Sequence, residues 1–206
     1  MKVLVLGAKG KTGSLVVNQA VEKGYEVSVL VRSAGLSYPA GVRAITGDAL
    51  KAEDVLQAMD QQDAVVECIG GTAPWKAQTL ERDAMRNIVA AMEKSGARRL
   101  IVVSAMGVAD SAKQSPWWFR YLMVPTFLRG STADKAAMED IVRGSKLDWV
   151  IARPPILKDG AATGKVRVIG ERETGHAITR ADLAVWLVEQ LKTSTYVGQA
   201  VVMVNN

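Results

Sequence analysis

A glycine-rich turn near the start of the chain separates an apolar segment from an amphipathic one. Gly7, Gly10 and Gly13 follow the apolar run Lys2–Leu6, which predicts a short buried strand, and a helix is expected to begin directly after the turn. Because the first backbone N–H groups of a helix have no partner within it, they point toward the turn and attract an anion. This geometry suits the pyrophosphate of a dinucleotide, although the spacing G-x-x-G-x-x-G has one residue more in its first gap than the usual fingerprint.

The residues after the turn complete a β-α-β unit that ends in a cation. The predicted helix stops at Gly24, and Glu26–Val31 predicts a second strand rich in β-branched residues. Dinucleotide sites usually have an acidic residue for the ribose 2′-hydroxyl at the end of that strand, but this chain has Arg32 and Ser33. A guanidinium beside a hydroxyl suits a 2′-phosphate, so we predict NADP(H) in preference to NAD(H). The alternative for Arg32 is an ordinary solvated strand end.

The tripeptide Gly10-Lys11-Thr12 also resembles the end of an ATP-binding P-loop. That motif requires a glycine five residues before Gly10, and the chain has Val5 there, inside the first predicted strand. The sequence therefore excludes an ATPase of the P-loop type.

Composition favours one globular domain in a reducing compartment. The 206 residues suffice for one α/β domain, which we assign to residues 1–206, and 49% of them are hydrophobic. Cys68 is the only cysteine, so no internal disulfide can form and we expect a cytoplasmic protein. No segment is long and apolar enough to predict a membrane span. The basic residues behind the net charge of +5 are scattered among acidic ones, so we expect no nucleic-acid partner.

Strand and helix patterns alternate along the rest of the chain. Continuous apolar runs such as 64–66 and 100–103 are typical of strands covered on both faces, and their spacing fits helical crossovers. We therefore predict an α/β fold, a Rossmann-type doubly wound parallel sheet with a small C-terminal substrate lobe. Further strands are predicted at 42–46, 64–69, 100–103, 149–152 and 200–204, and further helices at 51–59, 79–94, 132–143 and from near Thr179.

Short motifs distributed along the chain point to one protein family. Besides the glycine turn, they are Val-Leu-Val-Arg at 29–32, Gly-Asp-Ala-Leu at 47–50, Asp-Ala-Val-Val at 63–66, Arg-Asn-Ile-Val-Ala-Ala-Met at 86–92, Val-Ser-Ala at 103–105, and longer runs at 147–155 and 178–184. Together they resemble the atypical short-chain dehydrogenase/reductase family of NAD(P)H-binding proteins, which includes biliverdin-IXβ reductase, also called flavin reductase, and the NmrA-like proteins. The resemblance spans nearly the whole chain and is specific for the family, but it identifies no substrate.

The resemblance implies a place for each part of a bound NADP(H). The pyrophosphate is expected on the turn formed by Gly7, Lys9, Gly10, Lys11, Thr12 and Gly13. The adenine is expected beside Asp48 and Ala49, the cofactor ribose beside Cys68, Ile69, Gly70 and Lys135, and the nicotinamide beside Ser104, Pro154, Pro155 and Ile156. These positions agree with the rule that open parallel sheets bind ligands beyond the carboxyl ends of their strands.

The classical relatives of this family have a tyrosine four residues before a lysine on the helix that precedes the sixth strand, and this chain departs from that pattern. Lys135 matches the lysine, but Ser131 replaces the tyrosine. A serine hydroxyl has too high a pKa to replace the phenol in alcohol oxidation, whereas a conjugated acceptor delocalises charge and can take its proton from water. We therefore predict hydride transfer to a planar acceptor such as a flavin, a quinone or a tetrapyrrole. The alternative for Lys135 is a solvated helical charge.

An irregular segment at 105–130 is rich in aromatic residues and is expected to lie over the nicotinamide. Trp117, Trp118 and Tyr121 are predicted to bind the acceptor, because flat side chains stack on flat ligands. Tyr121 is also a candidate for supplying the missing phenol from a different position. The alternative is a packed flap or a dimer surface.

The predicted function is that of an NADPH-dependent reductase with Ser104, Lys135 and Tyr121 as candidate catalytic residues. Its partner is a small planar molecule, and the protein is expected to be a monomer or a weak homodimer. His176 is the only histidine, so no metal site is expected. The alternative is a non-catalytic NADP-binding redox sensor or assembly factor of the NmrA-like type. The absent tyrosine also argues against an isomerase or epimerase of nucleotide sugars.

Overall fold

The structure is a computed structural model that describes residues 1–33, 35, 37–71, 75, 76, 78–114, 121, 122 and 126–205. In these residues strands alternate with α-helices. The strands are β1 (Lys2–Leu6), β2 (Glu26–Val31), β3 (Arg43–Thr46), β4 (Ala64–Glu67), β5 (Arg99–Val103), β6 (Asp148–Ala152), β7 (Ile156–Lys158), β8 (Arg167–Ile169), β9 (Ala177–Thr179) and β10 (Gln199–Val204). The helices are α1 (Lys11–Glu22), α2 (Ala52–Ala58), α3 (Leu80–Ser95), α4 (Arg129–Gly144) and α5 (Arg180–Glu189).

Eight of these strands form one sheet in the order β3-β2-β1-β4-β5-β6-β10-β8. Neighbouring strands are parallel, except that β8 pairs antiparallel with β10 at one edge. The chain runs outward from β1 to β3, returns to β4 on the other side of β1, and then continues outward. The winding therefore reverses between β1 and β4, which opens a crevice beyond their carboxyl ends.

Helices cover both faces of the sheet. Successive side chains of a strand point to opposite faces, so Val3 and Val5 pack in the layer of α1 and α5, and Leu4 and Leu6 pack in the layer of α2, α3 and α4. All four side chains are buried, which explains why β1 reads as a continuous apolar run. Within the described ranges, none of the helices combines the length and the apolar character needed to cross a membrane.

The predicted α/β fold with a doubly wound sheet is confirmed, and the predicted elements lie within three residues of their observed bounds. The strand predicted at 64–69 ends at Glu67, because the chain leaves the sheet at the reversal point. The short strands β7, β8 and β9 were not predicted. β7 and β9 pair with each other in a separate two-stranded sheet, which forms the small C-terminal lobe.

Candidate cofactor and acceptor site

A cavity of about 650 Å³ lies at the reversal point of the sheet. It is formed by the glycine turn and by the segments that follow β2, β3 and β4. Ten of the residues predicted to bind the cofactor line it, namely Gly7, Lys9, Gly10, Arg32, Ser33, Asp48, Ala49, Cys68, Ile69 and Gly70. Leu6, Ala8, Leu30, Val31, Gly47, Leu50 and Leu80 complete the lining. We call this space the first cavity.

The three glycines of the turn are required for different reasons. Gly7 has φ +77°, and a Cβ atom there would lie 2.4 Å from the carbonyl oxygen of Cys68. A Cβ atom on Gly13 would lie 2.2 Å from the carbonyl oxygen of Gly7, so this glycine allows α1 to approach the turn. Gly10 has ordinary backbone angles, and a Cβ atom there would lie 3.2 Å from the carbonyl oxygen of Gly7, a milder overlap than at the other two glycines. Because Gly10 lines the first cavity, its missing side chain leaves room for a ligand rather than for the protein.

The amino end of α1 fits a dinucleotide pyrophosphate. In the part of the chain that the structure describes, no side chain caps this helix, and its first turn has no acidic residue. Its first backbone N–H groups are therefore available to an anion. The predicted residues Lys11, Thr12 and Gly13 form this turn of the helix but are not part of the cavity lining.

A salt-bridged carboxylate connects the start of α1 to the C-terminal lobe. Asp159 accepts hydrogen bonds from the Lys11 ammonium at 3.0 Å and from the Arg180 guanidinium at 2.6 Å. These two cations lower the pKa of the Asp159 carboxyl. All three side chains are at least partly exposed, so the bridge is an exchangeable contact rather than a rigid one.

The part of the first cavity formed by Asp48 and Ala49 is held by hydrogen bonds from residues outside the lining. The backbone N–H of Asp48 donates to the Asp54 carboxylate at 2.8 Å, and the Asn87 side chain donates to the carbonyl oxygen of Ala49 at 2.9 Å. Arg32 also lines this cavity, is exposed, and forms no ion pair with another described residue. Its guanidinium is therefore available to a ligand.

A second cavity, of about 320 Å³, lies farther along the same edge of the sheet. It is formed by the segments after β5 and β6, by the start of α4, and by the residues leading into β9. Its lining consists of Ala105, Met106, Val108, Leu128, Ser131, Thr132, Lys135, Pro154, Pro155, Ile156, Lys158, Gly175, His176 and Ala177. The walls are mainly apolar, and the described residues of the lining include two lysines and the histidine but no carboxylate.

Lys135 is the predicted catalytic residue that the structure brings to the second cavity. Its side chain is 14% exposed, and its ammonium donates to the Glu81 carboxylate. Ser131 lies one helical turn away in the same lining, so no phenol occupies that position. Tyr121 is 67% exposed and is not in the lining of either cavity. Trp117 and Trp118 lie outside the described residues, so their predicted role stays a prediction.

Ser104 lies beside the second cavity but is not part of its lining. Its hydroxyl is buried and donates to the Glu139 carboxylate at 2.6 Å. Glu139 also accepts a hydrogen bond from Nε of the buried Arg153 at 2.9 Å, and Arg153 donates further to Asp110 at 2.8 Å. Burial alone would lower the pKa of Arg153, but these carboxylates raise it and keep the guanidinium charged. The network joins the ends of β5 and β6, and it thereby holds Ala105 and Pro154 in place at the cavity.

Sequence reasoning missed a buried group of charged residues between the two cavities. Glu67, Glu81 and Asp134 are at most 3% exposed, and Lys135 is the cation among them. We call these four residues the acid cluster. The Glu67 carboxyl accepts from the backbone N–H of Ile69 at 2.6 Å, and its second oxygen has no hydrogen-bond partner among the described residues. The sequence feature that could have indicated this cluster is Glu67, an acidic residue at the end of an otherwise apolar strand.

Comparisons with known proteins agree with this geometry. A family model described as NAD(P)H-binding matches residues 7–194. UPF0659 protein YMR090W of Saccharomyces cerevisiae is 31% identical over 205 residues, which cover 93% of this chain and 87% of the yeast protein. The structure of ChuY, an anaerobilin reductase from Escherichia coli O157:H7, superposes with a TM-score of 0.81 and 27% identity, covering 100% of this chain and 97% of ChuY.

A short-chain dehydrogenase/reductase from Veillonella parvula in complex with NADP shares the fold, with a TM-score of 0.81 and 16% identity over 98% of this chain and 94% of that protein. The chain therefore belongs to the NAD(P)H-binding family of atypical short-chain dehydrogenase/reductases, which are Rossmann-fold oxidoreductases.

Proposed function

We propose that the protein is an NADPH-dependent reductase that transfers a hydride to a planar conjugated acceptor such as a flavin, a quinone or a tetrapyrrole. The observation that carries this proposal is the pair of cavities at one edge of the sheet. The first has the groups that a dinucleotide requires. The second is apolar, has a lysine in its wall, and lies where the nicotinamide end of that dinucleotide is expected. The structural likeness to an anaerobilin reductase supports reductase chemistry.

In the first cavity, the amino end of α1 binds the pyrophosphate, and Gly10 allows it to approach the backbone. Arg32 and Ser33 bind the 2′-phosphate. Asp48 and Ala49 border the adenine, and the segment 68–70 borders the ribose. When bound, NADPH supplies the hydride. Its phosphates supply the negative charge that the amino end of α1 and Arg32 recognise.

In the second cavity, Pro154, Pro155 and Ile156 border the nicotinamide, and apolar walls exclude water from the reacting atoms. Lys135 provides a positive charge and a proton for the reduced acceptor. Lys158 and His176 add donors, and none of the described residues that line this space carries a carboxylate, so it favours an acceptor with negative charge. Ser104 positions the end of β5 through Glu139.

An anaerobic assay tests the proposal directly. NADPH is mixed with the protein and with flavin mononucleotide, a quinone or biliverdin, and the nicotinamide absorbance is followed. We expect it to decrease with at least one acceptor, and to decrease much more slowly with Lys135→Met. Saturable NADPH binding by calorimetry without oxidation across the panel would contradict the reductase. That result would favour the redox sensor or assembly factor.

The preference for NADPH depends on Arg32. Replacing it with alanine should weaken NADPH binding by about 1.5–3 kcal/mol, roughly 10- to 150-fold, and leave NADH binding nearly unchanged. Arg43→Ala is the matched control, because Arg43 is an exposed arginine on the neighbouring strand β3 that does not line the first cavity. Calorimetric titration of both variants with both coenzymes measures the effect. Equal losses for NADPH and NADH would contradict the assignment of the 2′-phosphate.

We also infer a cytoplasmic protein that is monomeric or weakly dimeric. Cys68 is a free cysteine, and burial raises the pKa of its thiol well above the usual value, so it stays protonated and unreactive at neutral pH. A structural free thiol of this kind fits a reducing compartment. Sedimentation velocity over a range of concentrations measures the oligomeric state.

A further inference from the structure

Glu81 connects residues that line the two cavities. It lies in the first turn of α3 and is 2% exposed. The residue before it, Leu80, lines the first cavity, and its own carboxylate binds the ammonium of Lys135, which lines the second. A carboxylate is rarely buried this deeply unless it has partners, so the partners of Glu81 indicate what it does there.

The two carboxylate oxygens of Glu81 bind two different segments. Oε2 accepts from the Lys135 ammonium at 2.5 Å, and Oε1 accepts from the backbone N–H of Gly71 at 3.4 Å. Gly71 directly follows Gly70, which belongs to the segment after β4 that lines the first cavity. One carboxylate therefore joins the cofactor side of the site to the lysine on the acceptor side.

The backbone of Glu81 is fixed by the helix that carries Lys135. Thr79 is the N-cap residue of α3, but its side chain makes no capping hydrogen bond with a described residue. The Asp134 carboxylate of α4 caps α3 instead, because it accepts from the N–H groups of Glu81 and Arg82, both at 3.0 Å. A carboxylate at the amino end of a helix also interacts favourably with the helix dipole, so this contact stabilises the packing of α4 on α3.

Adjacent residues of α4 therefore bind Glu81 twice, Asp134 through its backbone and Lys135 through its carboxylate. A lysine side chain without a partner would sample many rotamers, and the ion pair restricts Lys135 to few of them. Among the residues that the structure describes, Glu81 is the single hydrogen-bond partner of this ammonium, which leaves two of its three N–H donors for a ligand. The pair thus fixes the ammonium without using all of its donors.

We propose that Glu81 is a positioning residue that holds the Lys135 ammonium in place relative to the nicotinamide end of the cofactor. This inference rests on the proposed reductase function. Proton transfer requires a donor within hydrogen-bond reach of the acceptor, and misplacing a catalytic group by about 1 Å can lower the rate about 100-fold. Because Glu81 binds both Gly71 and Lys135, it sets the place of the proton donor relative to the cofactor wall. Glu81 is in the lining of neither cavity, so it acts through Lys135.

Lysine labelling tests the positioning without any turnover. The protein is treated with a limiting amount of N-hydroxysuccinimide acetate, and mass spectrometry gives the acetylation of Lys135 relative to Lys158, an exposed lysine of the same cavity. Lys135 should react slowly in the wild type, because its side chain is 14% exposed and bound to Glu81. We expect Glu81→Gln to raise this ratio severalfold. Glu93→Gln, the same change at an exposed position of α3, should leave it unchanged. An unchanged ratio in Glu81→Gln would overturn the proposal.

A double-mutant cycle on turnover separates positioning from a structural role. With an acceptor that the wild type reduces, Glu81→Gln should lower kcat about 10- to 100-fold, with little change in the KM for NADPH. In the Lys135→Met background the same change should have no further effect on kcat, because no ammonium is left to position. Additive losses from the two single changes, or a loss expressed mainly as a higher KM for NADPH, overturn the proposal.

Two further variants keep the test decisive if Glu81→Gln does not fold, since that change leaves a buried ammonium without its carboxylate. Glu81→Asp keeps the charge and shortens the side chain by one methylene, so it should raise the labelling ratio and lower kcat in the same directions. Burial raises the pKa of Glu81 and Lys135 opposes this, so in Lys135→Met the carboxyl takes up a proton and stays uncharged. Lys135→Met and the double variant should therefore have equal kcat, and a lower kcat in the double variant overturns the proposal. If the wild type reduces no acceptor, only the reductase function is contradicted, and the labelling ratio still decides the role of Glu81.

Discussion

Asp182 allows a quantitative test of how the C-terminal lobe is attached to the sheet. This residue lies in the first turn of α5 and is 1% exposed. Its carboxylate accepts from the backbone N–H groups of Thr163 and Gly164, from the hydroxyls of Thr163 and Thr179, and from the Asn205 amide. Burial alone would raise the pKa of Asp182, but these hydrogen bonds, led by that of Thr163, lower it to about 2. The folded protein therefore prefers the ionised carboxylate more strongly than the unfolded chain does.

The stabilisation follows from this difference in pKa. An unfolded aspartate has a pKa of about 3.9, and each tenfold change in proton affinity is worth about 1.4 kcal/mol, so Asp182 contributes about 2.5 kcal/mol to the free energy of unfolding at pH 7. The pKa is lowered on folding, so the contribution is complete above about pH 4 and is lost as the pH falls toward 2. At pH 3 about half of it should remain.

Asp182→Asn removes the charge with little change in shape. We expect the variant to be about 2.5 kcal/mol less stable than the wild type at pH 7 and about half as much at pH 3, measured by urea unfolding at several pH values. Taking the difference between the two proteins cancels the titration of the other carboxyl groups. A difference in stability that is the same at pH 7 and pH 3 would refute the reasoning, because it would show that shape rather than charge holds this site.

Three other substitutions probe the proposed pyrophosphate site, which consists of the glycine turn and the start of α1. Gly10→Val should abolish calorimetric binding of both NADPH and NADH while the circular dichroism spectrum stays unchanged, whereas unfolding of the variant protein would show that Gly10 serves the fold. Gly13→Ala should lower the free energy of unfolding by about 1–3 kcal/mol, since its Cβ would overlap the carbonyl oxygen of Gly7, and urea unfolding at wild-type stability would contradict this. Asp159→Asn should release Lys11 for the pyrophosphate and tighten NADPH binding severalfold at most, because the pair is exposed to solvent, and the gain should disappear at high salt. Weaker NADPH binding by that variant would contradict this, because it would show that the Lys11–Asp159 salt bridge supports the proposed pyrophosphate site.

The parts of the structure that were predictable are those with local causes. The turn at Gly7 needs a positive φ angle, which glycine adopts readily, so the local sequence indicates it, whereas the close approach of Cys68 to this glycine depends on the fold. The strand Lys2–Leu6 is buried on both faces, so its apolar run could be identified without knowledge of its neighbours. The cap of α5 was also predictable, because the Thr179 hydroxyl accepts from the N–H of Asp182 within the same turn.

What the sequence could not provide depends on partners far away along the chain. β7 and β9 have three residues each and exist because they pair with each other, so no local period indicates them. Glu67 and Arg153 are charged residues, which sequence patterns place at the surface, but the fold buries them beside groups from other elements. The sequence places the aromatic residues of 105–130 in one loop, whereas the structure packs one of them, Phe127, against the distant Trp75, with ring centres 5.5 Å apart.

The position of β10 has a consequence for biosynthesis. Residues 199–204 follow every other strand in the sequence, yet β10 lies between β6 and β8. While the ribosome still holds these residues, β6 ends the sheet with an unsatisfied row of backbone N–H and C=O groups, and such edges attract other nascent chains. Folding of the sheet is completed only by this late insertion. Until β10 inserts, the growing chain therefore exposes the edge of β6 to pairing with other chains.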